Sequence, residues 1–268
     1  MTQAGMSDDV SLNTREWDYT QQAPYYHLRP NYADGAVDHL VRHVGARPAA
    51  PYAVVDVGAG TGNLTVMLLD RGLSCIAVEP NAAMRRLEVE CTQGRAVEWR
   101  VGKGEATTLP PRSVDWFVMG SSFNTTERAA TLSEAHRVLK AGGYFTCLWN
   151  HRDLTDAVQQ TVERVIRSFV PAYSHGTRRE PQADVILESR LFNDVHYFEE
   201  AQRVERTVPD FIAAWASVKN PYWDLATPAG HALFDSIKAA LAAELGRQER
   251  LTMTYVTRTW TARRIDRP

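Results

Sequence analysis

A short apolar run that ends in closely spaced glycines sets the fold class of this chain. Residues 54–64 read VVDVGAGTGNL. A β-branched run of this length is typical of a buried parallel strand, and the glycines that follow it predict a tight turn. Because glycine has no Cβ, glycines at alternate positions let a ligand lie directly against the backbone. The segment therefore predicts an α/β fold with a ligand-binding turn after its first strand.

The next apolar run predicts what kind of ligand this turn binds. Residues 75–78, CIAV, read as the second strand, and Glu79 follows them directly. A carboxylate at that position can accept hydrogen bonds from both hydroxyls of a ribose. We therefore expect an adenosine-containing cofactor with its ribose on Glu79. The alternative is that Glu79 is a solvated carboxylate at a strand end.

The spacing of the glycines bears on which cofactor is bound. The dinucleotide fingerprint is G-x-G-x-x-G or G-x-G-x-x-A, with a small third residue that allows a helix to pack closely on the strand. Here Asn63 stands at that third position. This weakens the nicotinamide and flavin interpretations, so a nucleotide-dependent oxidoreductase is kept only as an alternative.

Together with Asp56 inside the strand, the loop resembles motif I of the class I S-adenosylmethionine-dependent methyltransferases. Three later segments resemble this family in the same order. Residues 104–110, GEATTLP, resemble its adenine loop, and residues 113–120, SVDWFVMG, resemble its fourth strand. Residues 135–145, AHRVLKAGGYF, resemble its next helix, glycine turn and fifth strand. The resemblance covers residues 15–150 well and the remainder loosely.

This resemblance implies an α/β fold of the Rossmann-like type. The expected sheet has seven mostly parallel strands with an antiparallel last strand, and residues 196–208 and 250–261 are the candidates for its last two strands. We expect an N-terminal lid over residues 1–33 and a cofactor-binding core over residues 34–150. Residues 151–268 would then supply a helical cap and the closing strands.

The resemblance also implies a set of cofactor contacts. Glu79 would hold the ribose, Asn81 or Met84 would flank the adenine, and Glu105 would accept a hydrogen bond from the exocyclic amine. The residues expected to contact S-adenosylmethionine in the core lie at strand ends or in the loops after them: Asp56, Gly58, Gly60, Gly62, Glu79, Asn81, Met84, Glu105, Ala106 and Ser121.

The N-terminal segment carries a further motif. Residues 25–32, YYHLRPNY, resemble a Y-x-x-x-R-P-x-Y signature of some small-molecule methyltransferases, in which the leading segment covers the cofactor. By this resemblance Tyr25 and Arg29 would contact the cofactor's carboxylate, and the planar guanidinium of arginine suits that task. The alternative is that the aromatic residues only hold a loose segment against the core.

Methyl transfer from a sulfonium makes modest demands on catalytic residues. Donor and acceptor must be aligned within about 3–3.5 Å and water must be excluded. We expect no metal ion, and we take Tyr19, Tyr25 and Phe123 as the catalytic candidates. A general base, if one is used, would be His27, His151, Tyr19 or Tyr25, although each histidine has a structural alternative.

The acceptor site is less well defined by the sequence. Trp149, Trp215, Tyr222 and Trp223 could form an apolar acceptor pocket, or they could be ordinary core aromatics. The N-P-P-Y-type motif of nucleobase and glutamine N-methyltransferases does not follow the fourth strand. This argues against DNA bases and protein glutamine as acceptors.

Bulk properties limit the class of partner. The chain of 268 residues has a formal charge of −2, so it offers no broad basic field for nucleic acid. No apolar run approaches membrane-spanning length, the three cysteines have no metal-ligand spacing, and no signal sequence stands at the N-terminus. We expect a cytoplasmic protein without a membrane or nucleic-acid partner, and we leave its oligomeric state, including a homo-oligomer, open.

The sequence thus predicts an enzyme that methylates a small molecule, at nitrogen or oxygen in the first place and at carbon otherwise. The lid signature resembles methyltransferases of trans-aconitate and of antibiotic biosynthesis, including lincosamide N-methyltransferases. The alternatives are an RNA or protein methyltransferase and a cofactor-binding subunit without catalysis. The identity of the acceptor does not follow from the sequence.

Overall fold

A computed structural model describes residues 18–48 and 52–266 of the chain. The first 17 residues of the predicted lid lie outside this description. The strands are β1 (Val54–Val57), β2 (Cys75–Val78), β3 (Val97–Arg100), β4 (Val114–Gly120), β5 (Leu139–Arg152), β6 (Phe192–Thr207) and β7 (Arg250–Arg264).

Helices lie between most of these strands. The α-helices are α1 (Asp34–His43), α2 (Asn63–Leu69), α3 (Ala82–Cys91), α4 (Arg128–Val138), α5 (Ala157–Phe169), α6 (Ala183–Glu188), α7 (Val208–Ala214) and α8 (Pro228–Leu245). Short 3-10 helices cover Ala23–Leu28, Phe123–Thr125, Gly176–Arg179 and Trp215–Ser217. None of the helices in the described part of the chain combines the length and the apolar character needed to cross a membrane.

The strands form one sheet in the order β3-β2-β1-β4-β5-β7-β6. The pairs from β3 to β5 are parallel, whereas β7 runs antiparallel to both β5 and β6. The predicted seven-stranded, mostly parallel sheet with an antiparallel last strand is therefore confirmed. The last two strands are longer than predicted, because β6 begins at Phe192 and β7 continues to Arg264.

Side chains of the central strands alternate between two apolar clusters, as the pleat of a strand requires. Val55 and Phe117 pack on one face of the sheet, with residues of α4 and α6. Val54 and Trp116 pack on the opposite face, against α1 and α2. All four residues of β1 are buried, which explains why its sequence is a continuous apolar run interrupted only by Asp56.

The predicted glycine turn before the fifth strand is instead an irregularity within β5. The strand begins at Leu139, and its register with β4 shifts between the pairs Val114–Leu139 and Trp116–Tyr144. Gly142 has φ +70°, a left-handed conformation that favours glycine. The extra residues are accommodated as a bulge, so helix α4 leads into the strand without a separate turn.

A third apolar cluster forms the cap predicted for the C-terminal half. It joins α5, α7 and α8 to the adjoining part of β7, and its buried members include Trp223, Phe234 and Ile237. Helices α7 and α8 are inserted between β6 and β7, while α5 and α6 are inserted between β5 and β6. The cap is thus built on the long strands at one end of the sheet and has its own core.

Three histidines meet where α1 crosses the edge strand β6. The Nε2 atoms of His39 and His196 lie 2.9 Å apart, and the rings of His43 and His196 stack with centroids 4.3 Å apart. Burial lowers the pKa of both His39 and His43, and the charge of His196 lowers them further. The packing of α1 on β6 therefore favours neutral imidazoles.

This cluster predicts a loss of stability in mild acid. Because the folded protein holds the pKa of His39 and His43 below their ordinary 6.5, the unfolded chain binds protons more readily. Stability is then fully present above pH about 6.5 and falls as the pH drops through and below that value. We expect the melting temperature of His43→Gln to fall less between pH 7 and pH 5 than that of the unmodified protein.

His27→Gln is the matched control, since His27 is exposed on the first 3-10 helix. Its melting temperature should follow the unmodified protein over the whole pH range. An unchanged pH dependence in His43→Gln would show that the histidine cluster does not control acid stability.

Candidate active site

A cavity of about 1050 Å³ opens at the carboxyl ends of β1, β2, β4 and β5. Gly58, Glu79 and Ser121 line it where three of these strands end. The 3-10 helix Ala23–Leu28 and segments of the cap supply the opposite walls. Ligands of open α/β sheets bind in the crevice outside the carboxyl ends of the strands, so the cavity lies where a ligand is expected.

The glycine turn gives this cavity a floor of bare backbone. Gly58, Gly60 and Gly62 all have φ between +63° and +69°, which side chains with a Cβ rarely adopt. A Cβ on Gly58 would lie 2.6 Å from the Cβ of Ser122, whereas a Cβ on Gly60 would meet nothing closer than Tyr26 at 4.0 Å. Gly58 and Gly60 line the cavity, while Gly62 is the N-cap of α2 and does not.

Glu79 connects the two backbone segments at the floor of the cavity. Its Oε2 accepts a hydrogen bond from the Gly60 N–H at 2.9 Å, and its Oε1 accepts one from the Asn81 N–H at 2.8 Å. The side chain is buried, and burial raises the pKa of Glu79, although the two backbone hydrogen bonds oppose this effect. Each carboxylate oxygen retains a second lone pair that can accept from a ligand hydroxyl.

Asp56 lies fully buried beneath the turn and also lines the cavity. Its Oδ2 accepts a hydrogen bond from Thr65 Oγ1 at 2.7 Å, but its Oδ1 has no partner among the described residues. Burial raises the pKa of Asp56 to about 7. A buried oxygen without a donor is costly, so this site favours a ligand that brings a donor or a positive charge.

The predicted adenine contacts are brought together only in part. Asn81 and Met84 line the cavity, and Asn81 Oδ1 caps α3 by accepting from the N–H groups of Ala83 and Met84. Glu105 lines the cavity, but its Oε1 already accepts from the Glu127 N–H at 2.7 Å. Ala106 does not line the cavity, because its backbone pairs with Lys103 in a tight turn.

The lid signature places a different tyrosine at the cavity from the one predicted. Tyr25 is 39% exposed and contributes to a smaller surface pocket with residues of α7 and α8. Tyr26 lines the main cavity instead. Successive residues of a 3-10 helix point about 120° apart, so only one of two neighbouring tyrosines can face the cavity. The predicted cavity contact of Tyr25 is therefore corrected to Tyr26.

Arg29 links the N-terminal segment to the cap. Its Nε donates to Ser217 Oγ at 2.9 Å, and its Nη2 donates to the Ser217 carbonyl at 2.6 Å. The guanidinium also lies 4.1 Å from the ring centroid of Tyr26. Arg29 lines the cavity, and its Nη1 group has no hydrogen-bond partner among the described residues.

Tyr32, the last tyrosine of the signature, is a site residue to which the sequence analysis gave no role. Its hydroxyl lies 2.9 Å from Ser121 Oγ, in contact with the end of β4. A Cβ on Gly120 would come within 2.7 Å of the same hydroxyl. Ser121 itself has φ +58° and lines the cavity, so this serine is held in an unusual backbone conformation beside Tyr32.

Phe123, a predicted catalytic residue, does not reach the cavity. It is fully buried in the apolar cluster beneath the sheet, with its ring 5.3 Å from that of Phe145. Its neighbour Asn124 lines the cavity, where its Oδ1 accepts from Trp149 Nε1 at 2.9 Å. The loop after β4 thus directs Phe123 into the core and Asn124 toward the cavity. Their order in the sequence did not indicate which of the two faces the cavity.

Of the candidate bases, His151 and Tyr19 line the cavity, whereas His27 is exposed outside it. Burial lowers the pKa of His151 to about 3, and the charges of Arg179 and Arg258 lower it further. Its Nε2 is buried without a partner among the described residues. Burial raises the pKa of Tyr19. Both groups are therefore neutral near pH 7.

The four aromatic residues proposed for an acceptor pocket divide between the cavity and the cap core. Trp149 and Trp215 line the cavity. Trp223 is buried in the cap cluster, stacked 5.9 Å from the ring of Tyr173, and Tyr222 packs against the same cluster. Only the first pair can contact a ligand in the cavity.

Residues 55–147 match the methyltransferase domain family. The match covers this segment of the chain. It begins in β1 and ends in β5, so it contains Asp56, the glycine turn, Glu79 and Ser121. The family match thus falls on the part of the chain that forms the floor of the cavity.

Curated relatives resemble the same half of the chain. An uncharacterized methyltransferase of Mycobacterium tuberculosis is 36% identical over 130 residues, which cover 48% of this chain and 50% of the relative. A ubiquinone/menaquinone biosynthesis C-methyltransferase of Rubrivivax gelatinosus is 33% identical over 135 residues, covering 48% and 53%. The chain spans about half the length of these curated relatives.

Solved structures share the fold over most of the chain. A candidate type II methyltransferase from Anaeromyxobacter dehalogenans has a TM-score of 0.58 at 21% identity, covering 88% of this chain and 97% of the other. A 4+2 cyclase named SpnF has a TM-score of 0.51 at 17% identity, covering 92% and 93%. These likenesses confirm the Rossmann-like fold, and the reaction has to be argued from the site.

The position of Phe123 predicts a structural phenotype for its truncation. We expect Phe123→Ala to lower the free energy of unfolding by about 3–5 kcal/mol, because it opens a cavity in a fully packed core. Urea denaturation measures this loss. Titration of the folded variant with S-adenosylhomocysteine should give unchanged affinity.

Asn124→Ala is the matched control, because its side chain faces the cavity rather than the core. It should retain most of the stability that Phe123→Ala loses. A stable Phe123→Ala protein would contradict the buried position of this ring.

Proposed function

We propose that this protein transfers a methyl group from S-adenosylmethionine to a small-molecule acceptor. The observation that carries the proposal is the buried carboxylate of Glu79, which is fixed by two backbone N–H groups and still faces the cavity. It lies beside a glycine turn of open backbone, in a segment that matches a methyltransferase domain.

The residues of the cavity floor fit this cofactor in their chemistry. Glu79 has the lone pairs to accept from the two ribose hydroxyls, and Asn81 and Met84 border the space beside it for the adenine. Asp56, with an unpartnered buried oxygen, suits the ammonium group of the methionine portion. Arg29 offers its remaining N–H groups to the carboxylate. When bound, S-adenosylmethionine supplies an electrophilic methyl group together with its own leaving group.

The walls of the cavity support a small acceptor rather than a macromolecule. Small-molecule sites typically enclose about 300–1,000 Å³, and this cavity of about 1050 Å³ has room for a cofactor and a second small ligand. The lid helix and the cap segment Trp215–Ser217 are joined across it by Arg29 and Ser217. An RNA strand or a folded protein would have to break that contact to reach the floor.

The protonation states of the side chains in the cavity wall favour nitrogen or oxygen acceptors that need no strong base. His151, with a pKa of about 3, and Tyr19, whose pKa is raised, are both neutral groups. They can orient a lone pair by hydrogen bonding but remove a proton only weakly. Catalysis then depends on alignment by Asn124, Trp149 and these groups, and on exclusion of water by the lid.

We further propose that the chain works as three functional parts. The N-terminal segment up to residue 33 acts as a lid, residues 34–150 bind the cofactor, and the cap in residues 151–268 shapes the acceptor site. The contacts of Arg29 with Ser217 support this division, because they join the first part to the third across the cavity.

Calorimetric titration of the purified protein with S-adenosylhomocysteine and with NADH tests the proposal. We expect micromolar binding of S-adenosylhomocysteine and no binding of NADH. The reverse result would replace methyl transfer by a redox function. Formation of S-adenosylhomocysteine from S-adenosylmethionine in a screen of amines, phenols and carboxylates would then identify the acceptor.

Replacement of Glu79 should weaken cofactor binding strongly. Glu79→Gln removes charge-assisted hydrogen bonds worth about 1.5–3 kcal/mol, which corresponds to a loss of affinity of about tenfold to a hundredfold. Calorimetry with S-adenosylhomocysteine measures the change. Glu98→Gln, an exposed carboxylate on β3 that pairs with Arg100, is the control and should bind normally. Equal affinity of both variants would remove Glu79 from the ribose site.

The two adjacent tyrosines of the lid should behave differently. Tyr26→Ala removes the ring that contacts Arg29 and lines the cavity, so we expect at least a severalfold loss in affinity for S-adenosylhomocysteine. Tyr25→Ala alters a side chain outside the cavity and should change the affinity less than about twofold. The opposite order would restore Tyr25 to the cofactor site.

A further inference from the structure

The side of the cavity formed by the cap is rich in arginine. Arg152, at the end of β5, and Arg178 and Arg179, in a 3-10 helix of the cap, all line it. The acids that line the cavity come from the lid and from the segment between β1 and α4: Asp18, Asp56, Glu79, Glu105 and Glu127. The proposed acceptor side is therefore positively charged.

Two of these arginines have partners within the protein. Arg152 forms an ion pair with Glu163, and its guanidinium lies 4.6 Å from the ring centroid of Trp215. Arg179 donates from Nη1 to the Arg152 carbonyl at 3.2 Å. Both side chains are thereby fixed as parts of the wall.

Arg178 differs from them because it has no such partner. It is partly buried and lines the cavity, yet it forms no hydrogen bond or ion pair with any residue in the described ranges 18–48 and 52–266. Glu163 does not compensate it, because that carboxylate is shared by Arg152, Arg167 and His175. The guanidinium of Arg178 is a positive charge that faces the cavity and has no counter-ion among the described residues.

A charged group in such a place needs a partner. Arginine is rarely withdrawn from water unless it is paired, and a guanidinium remains protonated at every physiological pH. Burial lowers the pKa of Arg178, in line with the cost of holding this charge inside the cavity. A ligand with an anionic group would supply the ion-pair partner that an arginine facing the cavity needs.

We propose that the methyl acceptor carries an oxyanion group, a carboxylate or a phosphate, and that Arg178 binds it. The inference rests on the proposed methyl transfer and names the substrate class of that site. The planar guanidinium can donate two parallel N–H bonds to either group. Binding the anion at the cap would leave the rest of the acceptor directed toward Asn124 and Trp149 at the sheet edge.

Anion binding to the full-length protein tests this assignment without knowledge of the acceptor. The protein is saturated with S-adenosylhomocysteine and titrated by calorimetry with inorganic phosphate or with malonate, at constant ionic strength set by sodium chloride. The variants are Arg178→Gln and Arg178→Lys. Arg164→Gln is the control, since Arg164 lies exposed on α5 and pairs with Glu244.

We expect at least one of the two anions to bind the unmodified protein and the control equally. Arg178→Gln should weaken that binding about tenfold or more, because it removes both the positive charge and the planar pair of N–H donors of the guanidinium. Arg178→Lys, which keeps only the charge, should give an intermediate affinity and carries the test if the first variant is unstable. The anion that binds more tightly tells a carboxylate acceptor from a phosphate acceptor.

Two results would overturn the inference: failure of both anions to bind the unmodified protein, or equal binding by the Arg178 variants. Titration of each variant with S-adenosylhomocysteine separates this failure from that of the proposed function. Normal cofactor binding without anion binding would reject only the anionic acceptor. Absence of cofactor binding in the unmodified protein would reject methyl transfer itself.

Discussion

The hydrogen bonds from two backbone N–H groups to Glu79 are the interaction on which the cavity depends. One comes from the glycine turn after β1 and the other from the residue that caps α3. Because the carboxylate is buried, neither bond competes with bulk water, and the two segments are held at a fixed separation. The same carboxylate faces the cavity, so the group that orders the backbone also presents lone pairs to the ligand. The turn itself requires glycines in the left-handed conformation. This explains why the glycines and Glu79 occur together in the sequence.

The cavity is closed by contacts between parts of the chain that are distant in sequence. Arg29 of the N-terminal segment donates hydrogen bonds to Ser217 of the cap, and the Tyr32 hydroxyl contacts Ser121 at the end of β4. The cap can serve as a wall because it has an apolar core of its own, packed against the long strand β7. The floor is thus formed by the segment that matches the methyltransferase domain family, while the side that would select the proposed acceptor is formed by the cap and carries Arg178, which has no ion-pair partner among the described residues.

The fold and the cavity floor could be predicted because their signals are local. A buried strand, left-handed glycines and a carboxylate after the next strand occupy fixed positions along the backbone, and the parallel sheet brings their ends to one edge. The orientation of individual side chains could not be predicted in this way. Tyr25 and Tyr26 are chemically equivalent neighbours, and only the docking of their 3-10 helix selects the second. Phe123, predicted to be catalytic, is buried for a similar reason, since the loop packs this apolar residue into the core and leaves Asn124 at the cavity.

The residues themselves determined the α/β class and the glycine turn with Asp56 and Glu79 beneath it, whereas the seven-stranded sheet with its antiparallel last strand was implied by the resemblance to class I methyltransferases. The α/β class and the glycine turn follow from hydrophobic period and backbone conformation, which neighbouring residues specify. Only the tertiary structure decided which aromatic residues face the cavity, that His151 is buried and neutral, and that Arg178 has no counter-ion in the part of the chain that the structure describes. Burial and charge pairing depend on residues far apart in the chain, so they arise only when the lid and the cap are packed against the sheet.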